Sequence, residues 1–459
     1  MLSGGNTGFD SHAHLHFSHF DRDLKEVLQR SAEAGISQVM IPSVDLSTAR
    51  RSSAIAEEYR CWAASAFHPE HLPDSDQEAR WRELRKTLIS PRTVAVGETG
   101  LDFHHQSYSR TIQTRWFQRH IDLSRAIGYP LIVHSRDAEE QVLDELPERM
   151  EVPVILHCWN GDRTSTLKAV SRGFFIGTGG PLTYRRNSKL RSVIGEVPPE
   201  LLLAETDSPF LPPEPYRGKR NEPAYARKVI EEIRELHGST LSIEGTSFML
   251  WENAARAFLV HPTYRRADIV YTYGDSAYLN ITSRCNNNCR FCIRNSADGI
   301  GGHFLRHRED PPEELVLSTL DALPLDSFRE VVFCGFGEPT LRSGLVLKCC
   351  RELSSRGHVT RLDTNGLCTS FMEEENVLEL LKTVDSVSVS LNASGAVEYR
   401  RICRPSRDDA WDHLMKFIKL VRSSGVNATL SAVRGSGADT ERTVSLAARL
   451  GIPLRLRGK

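Results

Sequence analysis

Two sets of residues in this 459-residue chain have types and spacings that chemistry could use. The first is the thiol triplet Cys285, Cys289 and Cys292 in "CNNNCRFC". Thiolates are the usual ligands of iron–sulfur clusters, and three of them on a [4Fe–4S] cube leave one iron open to a small molecule. A structural zinc site wants four ligands, commonly as paired knuckles. No second CxxC is present, and His303 and Cys334, conceivable fourth ligands, sit in no knuckle. The second set is His12, His14, Glu98, His134, His157 and Asp207. Four imidazoles and two carboxylates suit zinc, manganese, iron or a mixed site, and suit magnesium less well. Six ligands are too many for one ion that keeps an open position. They fit two ions bridged by Glu98, an arrangement that clamps the attacking and leaving oxygens of a displacement. Asp207 could also orient the attacking water or act as general base.

The elements that must position these residues can be read from the pattern. Eight short β-branched runs alternate with helical stretches over the first ~260 residues: "GFDSHAH", "SQVMIP", "CWAASAF", "TVAVG", "PLIVH", "VPVILH", "FFIGTG" and "LLLAETD". Eight β–α units of this length predict an α/β fold, a (β/α)8 TIM barrel. A doubly wound open sheet is the alternative, because counting strands does not prove closure. All six residues of the second set fall at C-terminal strand ends, where a parallel barrel gathers its active site. His12 and His14 alternate onto one face. Beyond Asp275 the runs "AYLNITSR", "EVVF", "RLDTNG", "SVSVSLNA", "NATLSAV" and "IPLRLR" read as six more strands, with the thiols in the loop after the first. The expected domains are 1–262 and 275–459, with 263–274 as a short ordered linker.

Composition sets outer bounds. Hydrophobic residues are 40% and charged residues 25%, the make-up of a globular protein with two full cores. Residues 1–268 carry 33 basic and 36 acidic side chains (−3), and 269–459 carry 25 and 23 (+2), so the counts give no basic nucleic-acid stripe. The N-terminus has no basic, apolar leader, and no apolar run approaches the ~18–20 residues of a membrane span. A reducing cytoplasm, with no membrane contact, is therefore expected for the ten cysteines.

The pieces "DSHAHL", "AFHPE", "VGETGLDF", "VHSRDA", "LHCWNG", "ETDSPFL", "RNEP" and "ENAARAF" occur in the order found in the TatD family of metal-dependent hydrolases, which residues 8–259 resemble. The resemblance implies two divalent ions (Mg, Mn or Zn) held by His12, His14, Glu98, His134, His157 and Asp207. It also implies hydrolysis of phosphodiesters, usually DNA, with exonuclease activity in several members. Glu98 and Asp207 are the expected catalytic carboxylates, and a nucleic acid or nucleotide-like molecule is the expected substrate. Carboxylic esters or amides are the alternative. His68 matches a substrate-side histidine, and Arg136 and Arg220 are candidate phosphate partners, since guanidinium binds oxyanions bidentately.

The thiol triplet, with Phe291 before its last cysteine, resembles the radical S-adenosylmethionine superfamily, as does the whole of 275–457. "CGFGEPT" resembles the family's GGEP segment, with Phe336 in place of the first glycine of the usual pair. The resemblance implies a partial (βα)6 barrel and a [4Fe–4S] cluster on Cys285, Cys289 and Cys292. S-adenosylmethionine would be held by Phe291, Gly335, Gly337, Glu338, Pro339, Ser390 and Asn392. It further implies a reducing partner such as flavodoxin or ferredoxin, and hydrogen abstraction from an unassigned substrate by a 5′-deoxyadenosyl radical. A non-catalytic metal-binding module is the alternative for this half. Cys349 and Cys350 read as packing residues and Cys403 as a plain thiol; the arginines around Cys403 (Arg400, Arg401, Arg404 and Arg407) read either as a solvated face or as a grip on an anionic substrate.

Overall fold

The computed structural model describes residues 8–105 and 107–458; the segment 1–7, on which part of the leader reading falls, lies outside them. The chain divides into two compact units, Met1–Arg265 and Arg266–Lys459.

In the first unit eight strands form one parallel sheet in sequence order. They are β1 (Gly8–Asp10), β2 (Ile36–Ile41), β3 (Trp62–Ala64), β4 (Thr93–Asp102), β5 (Leu131–Arg136), β6 (Val154–Leu156), β7 (Phe175–Thr178) and β8 (Leu202–Ala204). The connecting helices begin and end where the sequence signals it. Ser109 caps Arg110–Ile127 through the Ile112 amide, and Gly128, at φ 71°, ends it. The sheet closes on itself: Ser11 N donates to Ala204 O at 3.0 Å and Asp207 N to His12 O at 2.8 Å. Closure excludes the open-sheet alternative, and the eight expected strands are all present as a TIM barrel. Phe9, Met40, Ile132, Ile155 and Leu203 pack in one apolar cluster with Ala254 and Phe258, from and just after the helix Ile243–Ala257. That apolar filling leaves the C-terminal strand ends for polar groups.

In the second unit seven strands lie in the order β15-β14-β13-β12-β11-β10-β9. They are β9 (Val270–Tyr273), β10 (Ser276–Leu279), β11 (Val331–Phe333), β12 (Thr360–Thr364), β13 (Ser386–Ser390), β14 (Asn427–Val433) and β15 (Leu454–Arg457). From β10 to β15 all pairs are parallel, the six strands of a partial barrel. β9 is a correction to the expected linker. Tyr273 and Ser276 pair across the two-residue turn Gly274-Asp275, with Gly274 at φ 63°, so 270–273 joins the sheet as an antiparallel edge. The register sorts the two faces by period two. Val331, Phe333, Leu362, Val387, Val389 and Leu430 are fully buried on one face. Arg361 stands in line with Ser386 on the other, and Asp363 with Ser388 and Thr429.

Candidate functional site

The first unit brings all six expected side chains to one end of the barrel. His12 Nε2 lies 3.3 Å from His14 Nε2 and 3.2 Å from Glu98 Oε2. His14 Nε2 is 3.5 Å from Glu98 Oε2 and 3.3 Å from Asp207 Oδ1, and His12 Nε2 is 3.9 Å from the same Asp207 oxygen. Donor atoms held about 2.0–2.1 Å from one tetrahedral ion stand about 3.3–3.4 Å apart. His12, His14 and Glu98 therefore have about the spacing of corners around a single ion, and Asp207 approaches them from the His14 side.

The other oxygen of Glu98 faces a second group. Oε1 lies 2.9 Å from His134 Nδ1, 2.9 Å from His157 Nε2 and 3.6 Å from His68 Nε2. The far side of each ring explains what these nitrogens offer. His134 Nε2 is 3.1 Å from Asp102 Oδ2, and His157 Nδ1 is 3.4 Å from Glu205 Oε1. At His134 the carboxylate keeps the ring proton on that nitrogen, whereas His157 Nδ1 makes no hydrogen bond to Glu205. The opposite lone pair then points at Glu98. Two electron-rich atoms at 2.9 Å need a proton or a metal ion between them, and the donor set fits a divalent ion. Burial works against charge on His134 and His157, yet the carboxylates outweigh it and hold both above the usual histidine range. Burial likewise opposes ionisation of Glu98, and His157, His12 and His68 overcome it, holding the carboxyl well below its usual range.

Sequence reasoning missed Asp10, Asp102 and Glu205. Asp10, fully buried, accepts from His12 N at 3.3 Å, Thr206 N at 2.9 Å and Thr206 Oγ1 at 2.6 Å, tying the β1 end to the β8 end. Glu205, equally buried, accepts from Cys158 N at 2.5 Å. Gly177 makes room for it, since a Cβ there would collide with the Glu205 carboxylate. All three lie at strand ends, and the available signal was an acidic residue close in sequence to a histidine or carboxylate of the site. His68 joins the inner ring of the site. Burial first, then the neighbouring His134, lowers it to about 4. Arg136 is exposed at the end of β5, with no ion-pair partner among the described residues. Arg220 is placed differently from expectation: its two Nη atoms hold Asp23 at 2.8 and 2.6 Å, and Nη1 also donates to His19 O at 2.6 Å. That is an internal tie between the β1 and β8 loops.

In the second unit Cys285, Cys289 and Cys292 lie half-buried in the loop after β10. Their sulfurs attract donors. Asn287 N is 3.4 Å from Cys285 Sγ and Arg294 Nε is 3.3 Å from Cys292 Sγ. The neighbouring Cys403 thiol holds Cys289 below its usual range, while burial pushes Cys285 up to about 11. N–H donors already aimed at the Cys285 and Cys292 sulfurs suit an anionic cluster. The GFGEPT turn docks on the same loop: Gly337 N donates to Thr282 O at 2.9 Å and Glu338 N to Arg284 O at 2.8 Å. A Cβ on Gly337 would strike Arg284 O, which is why glycine stands there. Glu338 is turned inward. Its oxygens accept from Thr340 Oγ1 at 2.6 Å, Thr364 Oγ1 at 2.7 Å and Asn365 N at 2.8 Å, so its carboxylate joins the β11 and β12 ends. Phe336 packs with Tyr271 and Leu305, which accounts for its departure from glycine. Asn392, at φ 52°, accepts from Val433 N at 3.2 Å; Ser390 and Phe291 are half-buried and Pro339 is buried. His303 is held by Asp268 at 2.8 Å. Cys349 and Cys350 are wholly buried packing residues, and Cys403 is a buried free thiol at the end of the helix Ala396–Cys403.

A closed eight-stranded barrel with a polyhistidine–carboxylate centre, followed by a six-stranded partial barrel with a three-cysteine loop, defines the class: a metal-dependent hydrolase domain joined to a radical S-adenosylmethionine domain. Residues 9–259 match the family model described as TatD related DNase, and residues 279–447 match that of the Radical SAM superfamily. The chain belongs to the TatD-related DNase family, and its C-terminal part is a radical SAM domain. Among its relatives is the Bacillus subtilis protein named "Uncharacterized metal-dependent hydrolase YabD", 35% identical over 257 residues, which span 55% of this chain and 99% of that one. The Escherichia fergusonii "3'-5' ssDNA/RNA exonuclease TatD" is 32% identical over 238 residues, 50% of this chain and 91% of that one. The crystal structure of YJJV, a TatD homologue from Escherichia coli K12, superposes with a TM-score of 0.50 at 29% identity, covering 56% of this chain and 99% of that one. Among the described residues no helix is long and apolar enough to cross a membrane.

Proposed function

We propose that the first unit is a two-metal phosphodiesterase that removes nucleotides from single-stranded nucleic acid. The observation that carries this reading is the split of Glu98, one oxygen against His12 and His14, the other against His134 and His157. In this reading His12, His14, Glu98 and Asp207 hold one divalent ion, and Glu98, His134 and His157 the other. The ions would supply charge stabilisation to the attacking and leaving oxygens of an in-line displacement. Asp102 fixes the ring orientation and tautomer of His134, and Glu205 places a carboxylate beside His157 Nδ1. Asp207, whose side chain keeps 14% exposure, faces the open end and is assigned to take the proton of the attacking water. His68 is assigned to the substrate side. The exonuclease name of a relative supports a nucleic-acid substrate.

For the second unit we assign Cys285, Cys289 and Cys292 as ligands of a [4Fe–4S] cluster and the GFGEPT turn as part of the S-adenosylmethionine site. Together these would supply hydrogen-atom abstraction after one-electron reduction by a flavodoxin- or ferredoxin-like partner.

The test uses full-length, anaerobically purified protein with Mn or Mg and end-labelled single-stranded DNA and RNA. Stepwise shortening that Asp207→Ala lacks is expected. Absence of cleavage with either metal overturns the nuclease assignment and moves the search to carboxylic esters and amides. For the second unit, iron and sulfide must fall with Cys285→Ala, and dithionite must release 5′-deoxyadenosine from S-adenosylmethionine.

A further inference from the structure

Beside the metal centre stands a group of aromatic rings that the hydrolytic chemistry does not use. Phe210, three residues past Asp207, is 46% exposed on a turn closed by Phe210 N to Asp207 O at 3.0 Å. Its backbone is held from behind by Asn221 Nδ2, which donates to Phe210 O at 2.6 Å and Thr206 O at 2.8 Å. Across from it, on the β1 loop, stand Phe17 at 5.8 Å and the exposed His19 at 6.2 Å between ring centroids. Both meet Phe210 edge-to-face, as does His14 at 6.4 Å. Among the described residues no ring is stacked on Phe210. The two loops are locked at this spacing by Arg220, through Asp23 and His19 O. An exposed aromatic costs hydration free energy, yet this one is held in the open, one ring away from His14.

The adjoining loops carry charge of the opposite sign to a phosphate backbone. Tyr184 OH donates to Pro212 O at 3.0 Å and Glu214 N to Thr183 Oγ1 at 2.9 Å, so the loops after β7 and β8 form one surface. That surface exposes Arg185, Arg186, Lys189, Arg217 and Lys219, none with an ion-pair partner among the described residues, against one exposed acid, Glu214. Counting charges along the chain hides this set, because the acidic residues lie elsewhere.

We propose that Phe210, with Phe17 and His19, is a stacking ledge for the terminal nucleobase of a single strand, and that the joined β7 and β8 loops carry its backbone. The inference rests on the phosphodiesterase reading and names the substrate feature that reading leaves open. Aromatic stacking takes any base, because every base has a π face, so the ledge selects unpaired ends rather than sequence. Phe210 stands 6.4 Å from the His14 ring, so a base seated on it lies beside the metal centre.

The test compares an ordinary oligonucleotide with one whose two terminal nucleosides are replaced by base-free tetrahydrofuran residues. Wild type is expected to favour the ordinary strand roughly tenfold or more in kcat/KM. Phe210→Leu, which keeps apolar volume but loses the flat face, is expected to lose most of that preference, and Phe210→Trp to keep it. The preference is a ratio within each variant, so partial misfolding does not imitate the result. An unchanged preference in Phe210→Leu overturns the ledge while leaving the phosphodiesterase reading intact. Failure of wild type to cleave either strand overturns both. In a second arm, Arg185→Ala/Arg217→Ala is expected to flatten the dependence of log KM on log salt, by about 0.7 for each phosphate no longer neutralised. An unchanged slope overturns the backbone track.

Discussion

Asp102 Oδ2 lies 3.1 Å from His134 Nε2, on the opposite side of the imidazole from the nitrogen that faces Glu98. Asp102 also accepts from the amides of His104 and His105, at 2.9 and 2.8 Å, so it is itself fixed. This carboxylate sets which ring nitrogen keeps its proton. Asp102→Asn preserves shape but removes the charge, and it can present an N–H to Nε2 that favours the wrong tautomer. We expect metal affinity to fall about 10- to 100-fold, the usual cost of losing such a partner. Competition with a chelator, read by elemental analysis, checks this. An unchanged affinity would mean that Glu98 alone orients His134.

The division of Glu98 between two groups predicts a pattern of metal content rather than a single loss. His14→Ala should reduce occupancy from two ions per chain to about one, and His134→Ala should do the same by emptying the other position. Glu98→Ala should empty both, because each group loses its carboxylate corner. Dialysed protein, assayed for metal and compared by thermal melting with and without added Mn, distinguishes these cases. Equal losses in all three variants would point to one shared ion.

Much of this site was legible from sequence because ligand chemistry constrains both residue type and place. The six side chains follow strand-like runs, and a parallel barrel sends all those ends to one rim. Asp102 and Glu205 were harder to see. Each acts through a histidine brought near by the fold, and nothing in "LDF" or "AET" names that partner. Arg220 went the other way: a basic residue near an anion site looks like a phosphate ligand until Asp23, 197 positions earlier, is folded against it. β9 was read as a β-like stretch but left in the linker, because one four-residue run, Val270–Tyr273, carries no sign of which edge it will pair with.

His120 gives the first unit a built-in acid sensitivity away from the metal centre. Its Nδ1 donates to Trp116 O at 2.7 Å and its Nε2 accepts from Phe67 N at 3.1 Å, so the neutral tautomer is fully used. Burial lowers its pKa to about 3. Below about pH 6.5 the unfolded chain takes up a proton that the folded chain refuses until about pH 3. Stability is therefore lost as pH falls through that window, by up to about 1.4 kcal/mol per pH unit from this group. Urea unfolding at pH 7, 6 and 5, followed by tryptophan fluorescence, should show a shallower loss for His120→Gln than for wild type. All the tryptophans except Trp411 lie in the first unit, so the signal reports that unit. Parallel pH profiles would place the acid sensitivity in other histidines.

Cys403, a buried thiol, is set beside Cys289 by backbone hydrogen bonds. Asn288 N donates to Cys403 O at 3.0 Å and Arg290 N to Ile402 O at 3.0 Å, so the cysteine loop is stitched to the end of the helix Ala396–Cys403 on both sides of Cys289. Asn287 Nδ2 adds a bond to Tyr399 OH at 2.9 Å. A donor to a ligand sulfur stabilises the more negative, reduced form of a cluster and raises its potential. Cys403→Ala should leave iron and sulfide content near wild type and shift the reduction potential downward, read by redox titration followed by electron paramagnetic resonance. Cys289→Ala, by contrast, should lose the cluster. If Cys403→Ala loses iron as Cys289→Ala does, Cys403 is a ligand and not a tuning donor. If the potential does not move, the Cys403 thiol has no electrostatic role at the cluster.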